Sequence, residues 1–500
     1  MLYPLDEHNQ RLLENTHPPG WINPEPKDRY HLVVIGAGTA GLVTAAAAAA
    51  LGARVALVER NLMGGDCLNL GCVPSKAIIR AARAWHEAEE AQRLFGGPNI
   101  REGGNFGAVM ERMRRIRADL SPPDSVHRFR ALGVDVFLGG ARFVGPTTVE
   151  IEDKRLEFRR AVIATGGRPK VPEIPGLDAA GYQTNETIFS LTELPRRLLV
   201  IGAGPVGCEL AQAFARFGSQ VIVIDRGEHA LPREDADAAG VVERAMERHG
   251  VVFRHRASIS RVERSNGEKR IVLQGGNGEE AVAGDEILVA AGRAPNVEGL
   301  NLESAGVSHD RSGVRVDDRL RTTNRRIYAA GDVCSRYRFT HAADAMARIV
   351  VQNALFYGRA KASRLIIPWT TYTNPEVAHV GLYEKDALAA GLRVDTITIP
   401  LDQVDRAVLD GETDGFMRIH LKKGTGRILG VTFVAEHAGE MISEVGLAMT
   451  GGLGLGQIGA TVHPYPTQAE VFRKAADAWR RKKLTPRVKL LLETFFRFFR

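Results

Sequence analysis

Apolar residues in this chain gather into short unbroken runs, set apart by glycine turns and by stretches with helical spacing. The run His31-Leu-Val-Val-Ile35 predicts a buried strand. It leads into Gly36-Ala-Gly38-Thr-Ala-Gly41, an alanine-rich helix through Leu51, and a second strand, Arg54-Val-Ala-Leu-Val-Glu59. Strand, glycine turn, helix and strand in this order make a βαβ dinucleotide unit. In it Gly36 permits the tight turn, Gly38 lets backbone approach a pyrophosphate, and Gly41 allows close helix packing. Glu59 ends the second strand where it can bind ribose hydroxyls.

One glycine pattern of this kind is weak, since it also serves as a plain turn. Here it recurs as Leu198-Leu-Val-Ile-Gly202-Ala-Gly204-Pro-Val-Gly207, a helix through Phe217, and Val221-Ile-Val-Ile-Asp225. In both copies the acid lies 23 positions past the first glycine. The repeat predicts an α/β fold with two Rossmann-like dinucleotide-binding domains, and so two cofactor sites. Asp225 favours the free 2′-hydroxyl of NADH over the 2′-phosphate of NADPH. Arg226 and Arg233 lie close enough in sequence to accept a phosphate, so NADPH stays open.

Composition narrows the class. Five hundred residues, 44% of them hydrophobic, suggest about three domains at roughly 150 residues each. The net charge of +7 is spread along the chain without interleaved aromatic platforms, which argues against nucleic acid as a partner. The start is polar, and no run of about 20 apolar residues spans a membrane, so a cytoplasmic address is expected. Four cysteines are too few for a secreted disulfide scaffold, and a pair among them is more naturally catalytic than structural.

Two of them stand in Gly64-Gly65-Asp66-Cys67-Leu-Asn-Leu-Gly71-Cys72-Val-Pro74-Ser75-Lys76. Cys72 falls where a helix begins, with Pro74 set for its first turn and unpaired amides able to stabilise a thiolate. The four-residue interval lets Cys67 bridge Cys72 and, once reduced, exchange with an external acceptor. The segment resembles the active-site signature of the class I pyridine nucleotide-disulfide oxidoreductases, the family of dihydrolipoamide dehydrogenase, glutathione reductase and mercuric reductase. The resemblance runs from about Asp28 to Asp477 and is strongest to mercuric-reductase-like members.

The resemblance implies a sequence of events: a nicotinamide cofactor reduces FAD, FAD reduces the Cys67–Cys72 disulfide, and the dithiol reduces an external acceptor. It also implies that Lys76 pairs with Glu209 beside the flavin. Thr165 and Gly166 in Ala164-Thr-Gly-Gly167, Gly292 and Arg293 in Ala290-Ala-Gly-Arg-Ala-Pro-Asn296, and Asp332 in Ala330-Gly-Asp332 would close the FAD pocket. Cys208 and Cys334 are expected to be packing residues.

The same resemblance divides the chain into an N-terminal extension (1–27), an FAD-binding domain in two parts (28–181 and 296–365), an NAD(P)-binding domain (182–295), an α+β dimerisation domain (366–480) and a tail (481–500). A homodimer is implied. The family's base motif places a histidine five residues before a glutamate that activates it. In His463-Pro-Tyr465-Pro-Thr-Gln-Ala-Glu470 that position belongs to Tyr465, as in mercuric reductases, and His463 serves only if the loop shifts.

No cysteine follows Cys334, although mercuric reductases carry a C-terminal pair. The residues before Tyr30 are too few for a folded metallochaperone domain. The acceptors that suit a missing imidazole are a thiophilic metal ion such as Hg(II), a quinone or another small oxidant, with dihydrolipoamide dehydrogenase activity as the alternative. Last, Val488, Leu491, Leu492, Phe495 and Phe499 share one face of a tail helix, with Lys489, Glu493, Arg497 and Arg500 opposite. Such a basic amphipathic helix suits an anionic membrane surface, making the chain a membrane-recruited electron donor, or packs against its own dimer.

Overall fold

The computed structural model describes residues 2–97, 104–275 and 278–499. By internal contacts the chain divides into two compact units. One runs to Glu228 and resumes at Gly250–Leu365, and the other joins His229–His249 to the chain from Ile366 onward.

The first unit is built on the two predicted βαβ repeats. The strands Tyr30–Ile35 and Val55–Glu59 pair in parallel with Leu32 opposite Val55, and the helix Thr39–Ala50 connects them. Tyr30–Ile35 also pairs in parallel with Lys154–Ile163, which in turn holds Ile327–Ala329, so a segment distant in sequence returns to the same sheet. Leu32 and Val34 face one core cluster and Val33 and Ile35 another. Both faces of the strand are covered, which is why it reads as an unbroken apolar run.

The second repeat gives a parallel sheet in the order Val252–Arg254, Gln220–Ile224, Arg197–Ile201, Glu286–Val289, with the helix Pro205–Arg216 after the glycine turn. The antiparallel strands Ser258–Ser265, Glu268–Gly275 and Gly278–Gly284 form a separate three-stranded sheet. An N-terminal helix, Glu7–Thr16, which no periodicity in the apolar pattern announced, packs on the helix Phe106–Asp119. Its Leu12 is fully buried, a contribution of about 1.5–3 kcal/mol.

The second unit is a five-stranded antiparallel sheet in the order Trp369–Thr371, Glu376–Gly381, Ile428–Ala435, Phe416–Lys422, Val394–Pro400. The helices Ala438–Thr450 and Glu470–Lys482 supply Ile442, Val445, Val471 and Phe472 to the core over it. Glu234 is buried within this unit, where it accepts hydrogen bonds from Tyr383 Oη (2.6 Å) and Trp369 Nε1 (3.0 Å). The tail forms the helix Pro486–Phe498, with Phe495, Phe496, Phe498 and Phe499 all exposed; Arg500 lies outside the described residues. Among the described residues no helix is long and apolar enough to cross a membrane.

Candidate active site

Both glycine turns are shaped by close backbone approach. A Cβ at Gly36 would lie 2.4 Å from the Ala164 carbonyl oxygen, and one at Gly41 would lie 1.7 Å from that of Gly36. In the second copy Gly202 and Gly207 stand in the same relation to Ala290 and Gly202, at 2.6 and 2.0 Å. Gly36 and Gly202 also have positive φ, 103° and 110°, so side chains are excluded twice over.

The two acids are matched as well. Glu59 accepts hydrogen bonds from the Ala37 and Asn61 amides (2.7 and 2.8 Å), and Asp225 from the Ala203 and Gly227 amides (2.8 and 2.6 Å). Burial pushes the Glu59 carboxyl up, and the amides hold it down. The space where a Cβ would stand at Gly166, Gly204 and Gly292 is open, and Gly204 caps the helix Pro205–Arg216. Gly38 caps the helix of the first copy, with the Gly65 Cα 3.7 Å from where its Cβ would stand, and Gly204 caps that of the second in open space, so each turn offers helix N-terminal amides of the kind that suit the pyrophosphates of FAD and a nicotinamide cofactor.

The segments Ala164–Gly167 and Ala290–Asn296 are tied to each other. Thr165 Oγ1 donates to the Asn296 carbonyl (2.7 Å), and the Asn296 side-chain amide donates to the Thr165 carbonyl (2.9 Å). Arg293 is the hub: its guanidinium donates to Asp66 and to the Gly167 carbonyl (2.8 Å) and lies 3.4 Å from Asp332. Burial raises the Asp332 carboxyl, and Arg293 opposes the rise.

Cys67 sits on a short helix, Gly65–Asn69, and Cys72 opens the long helix Cys72–Phe95, as its Pro74 predicted. Gly64 and Gly65 have φ of 91° and 57°, and a Cβ at Gly65 would lie 2.6 Å from the Gly38 Cα. The cysteine segment is therefore laid directly on the first dinucleotide turn, a contact only two glycines permit. Both thiols are unbridged. Cys72 is held well below the ordinary thiol range by a hydrogen bond from Cys67, helped by Thr340 and the Lys76 charge; Cys67 is pushed up correspondingly. Thr340 Oγ1 lies 3.3 Å from the Cys72 sulfur and opens the helix Thr340–Leu355. No local signal in the sequence pointed to it.

Lys76 Nζ donates to Glu209 Oε2 at 2.7 Å, and Glu209 is buried on the helix of the second repeat. Cys208 is buried with its sulfur on the Ala203 carbonyl (3.3 Å), and burial pushes the Cys334 thiol up to about 12. A buried Cys208 and a raised Cys334 are in keeping with the packing role expected for them, unlike the lowered, charge-assisted setting of Cys72.

In the second unit the His463 ring is covered, 5% exposed on an otherwise half-buried residue, and its Nε2 lies 3.0 Å from Glu444 Oε1. Tyr465 is exposed and donates to Asp405 Oδ2 at 2.9 Å, which raises the phenol above its usual value. Glu470 is buried at the start of its helix, bonded to Arg473, with Oε2 unpartnered. Neither ring hydrogen-bonds to Glu470. Asp405 and Glu444 are partners that sequence spacing did not supply.

A chain that repeats the dinucleotide unit and sets a cysteine pair against the first turn belongs to the pyridine nucleotide-disulphide oxidoreductase family. The model of that family matches residues 30–347, and the model of its dimerisation domain matches residues 367–476. It is a flavin-dependent pyridine nucleotide-disulfide oxidoreductase, and the dimerisation domain supports a homodimer. The chain is 35% identical to a mercuric reductase of Lysinibacillus sphaericus over 91% of its own length and 84% of that protein. It is 32% identical to the dihydrolipoyl dehydrogenase of Bacillus subtilis (strain 168) over 90% and 98% of the two. Among solved structures it matches the HOCl-induced flavoprotein disulfide reductase RclA from Escherichia coli with a TM-score of 0.81, at 27% identity and covering 90% and 99% of the chains. That reductase is also known as a Cu(II) complex.

Proposed function

We propose that this chain uses Cys67 and Cys72 as its redox pair and passes electrons from NADH to a thiophilic metal ion, Hg(II) or Cu(II), rather than to a dithiol or disulfide. One observation carries the choice of acceptor: a tyrosine, not an imidazole, lies five residues before Glu470, and its hydroxyl is engaged with Asp405. Disulfide and dithiol substrates need a group that takes up and returns a proton near neutral pH, and a phenol there does so poorly. A metal ion held by sulfur needs none.

When bound, FAD supplies the two-electron link between nicotinamide and thiols. Lys76 and Glu209 hold a fixed charge beside the thiols, Cys72 carries the thiolate, and Cys67 faces the acceptor. Purified protein assayed under NADH and NADPH with lipoamide, glutathione disulfide, Hg(II), Cu(II) and quinones tests the reading. Turnover of metal ions well above lipoamide is the expected result, and ordinary lipoamide turnover would make the chain a dihydrolipoamide dehydrogenase.

For the tail we propose an anionic bilayer surface inside a cytoplasmic, reducing compartment. Between Asp477 and Glu493 stand six lysines and arginines and no acid, followed by exposed leucines and phenylalanines. Basic residues near an anionic surface contribute about 1 kcal/mol each, while two such tails repel one another. Flotation with phosphatidylserine vesicles should show binding that phosphatidylcholine vesicles lack and that Phe495→Ser with Phe499→Ser removes. Loss of the dimer on that substitution, with no vesicle binding by the wild type, would assign the helix to a second copy instead.

A further inference from the structure

The helix Phe106–Asp119 turns two arginines inward, which a surface helix does only when partners await them. Arg114 Nε meets Asp6 at 2.5 Å, and Arg117, 2% exposed, reaches in two directions at once. Its Nη2 donates to Asn9 Oδ1 at 2.6 Å, and its Nη1 donates to the Asn69 carbonyl at 2.8 Å. Asn69 lies between the two cysteines, and Asn9 is fully buried on the N-terminal helix. Burial and the neighbouring Arg114 pull Arg117 down to about 10, and Asp6 of the extension opposes them.

The extension grips the redox segment at its other end too. The Thr16 carbonyl accepts from the Met63 amide (3.1 Å), and His17 Nδ1 lies 2.5 Å from the Asn61 carbonyl. Between these ends, Leu12 closes with Leu68 and Ala118 in a small core of their own, with Leu2 and Val73 against it. Beyond, Asn23 seals the strand Asp135–Leu138 with two hydrogen bonds to Leu138 (2.7 and 2.9 Å).

We infer that residues 2–23 are a clamp on the redox segment, and that Arg117 is a positioning residue which, through Asn9 and Asn69, fixes Cys67 where it can close on Cys72. This rests on the reading of the two cysteines as the redox pair. A disulfide forms in proportion to how well its second thiol is held near the first. The clamp therefore favours the disulfide over the dithiol. By reciprocity, forming the disulfide must tighten the clamp.

The test is an equilibrium with dithiothreitol: the Cys67–Cys72 bond breaks, two electrons arrive on the pair, one proton stays on Cys67 while Cys72 is left as the thiolate and the second proton goes to solvent, and dithiothreitol closes to its ring disulfide. In flavin-loaded protein, Arg117→Met and Asn9→Leu should each shift this equilibrium towards the dithiol by about tenfold, roughly 30 mV. Arg117→Lys, which reaches only one of the two acceptors, should fall between them and the wild type. A role confined to stability would lower Tm and leave the equilibrium in place. In the wild type, hydrogen exchange at amides of residues 7–16 should slow on oxidation, a readout that needs no variant.

An equilibrium within twofold of wild type in both variants, or exchange at residues 7–16 indifferent to oxidation, overturns the clamp. Should wild-type peptide mapping find no Cys67–Cys72 disulfide at all, it is the redox-pair reading that fails.

Discussion

Glu59 and Asp225 hold one place in two copies: each carboxylate bonds the amide after the first glycine of its turn and the amide two residues beyond itself. Neutralising them should therefore have separable effects. Glu59→Gln should lower retained flavin, measured as absorbance per protein, and leave the nicotinamide KM alone. Asp225→Asn should raise that KM with flavin unchanged. A charge-assisted hydrogen bond is worth about 1.5–3 kcal/mol, so affinity falls roughly 10- to 100-fold in each case.

Wild-type enzyme should prefer NADH in kcat/KM, because Asp225 repels a 2′-phosphate. A tenfold preference for NADPH, about 1.4 kcal/mol, would instead assign that phosphate to exposed Arg226 or to Arg233.

The thiols make a spectroscopic prediction. A Cys72 thiolate against flavin should give a long-wavelength band on two-electron reduction, lost in Cys72→Ser and present without reduction in Cys67→Ser. Because Cys72 is held below the ordinary thiol range, the band should persist at neutral pH and fade as pH falls through that lowered value. In Cys67→Ser the hydrogen-bonding thiol is replaced, and in Lys76→Met the nearby charge is gone, so the midpoint should move upward in both. Identical spectra in the two cysteine variants would refute the assignment.

Tyr465→His should raise lipoamide reduction, since general acid–base help is typically worth about 10² to 10⁴ in rate. His463→Ala should leave the acceptor profile unchanged and cost about 0.5–1.5 kcal/mol of stability, the net worth of its hydrogen bond to a Glu444 that keeps contact with solvent. Denaturant titration and the acceptor panel read the two effects apart. Loss of lipoamide activity in His463→Ala alone would move the base to that histidine.

Features carried by short-range pattern were legible in the sequence: both glycine turns, the acids 23 positions on, the helix start at Cys72, and the tail helix. What escaped it depends on pairs far apart in the chain. The spacing of glycines does not disclose that Gly65 rests on Gly38, nor that Thr340 will reach Cys72 from 268 residues away. Arg117 reads as one more charge on a surface helix until Asn9 and Asn69 are seen on either side of it. His463 stands two residues before Tyr465 in a loop, yet its partner, Glu444, lies on the helix Ala438–Thr450, which no spacing in the motif discloses.

The Lys76–Glu209 pair also marks where the twofold internal likeness of the chain ends. Counting from the first glycine of each turn, the position matching Glu209 in the first copy is Val43, which carries no charge. The glycines and the two amide-bound acids recur in both copies, whereas the carboxyl that meets Lys76 is present in the second alone. The duplicated architecture thereby acquires a polarity, with one half that carries the cysteines and their lysine and one that supplies the carboxyl answering it.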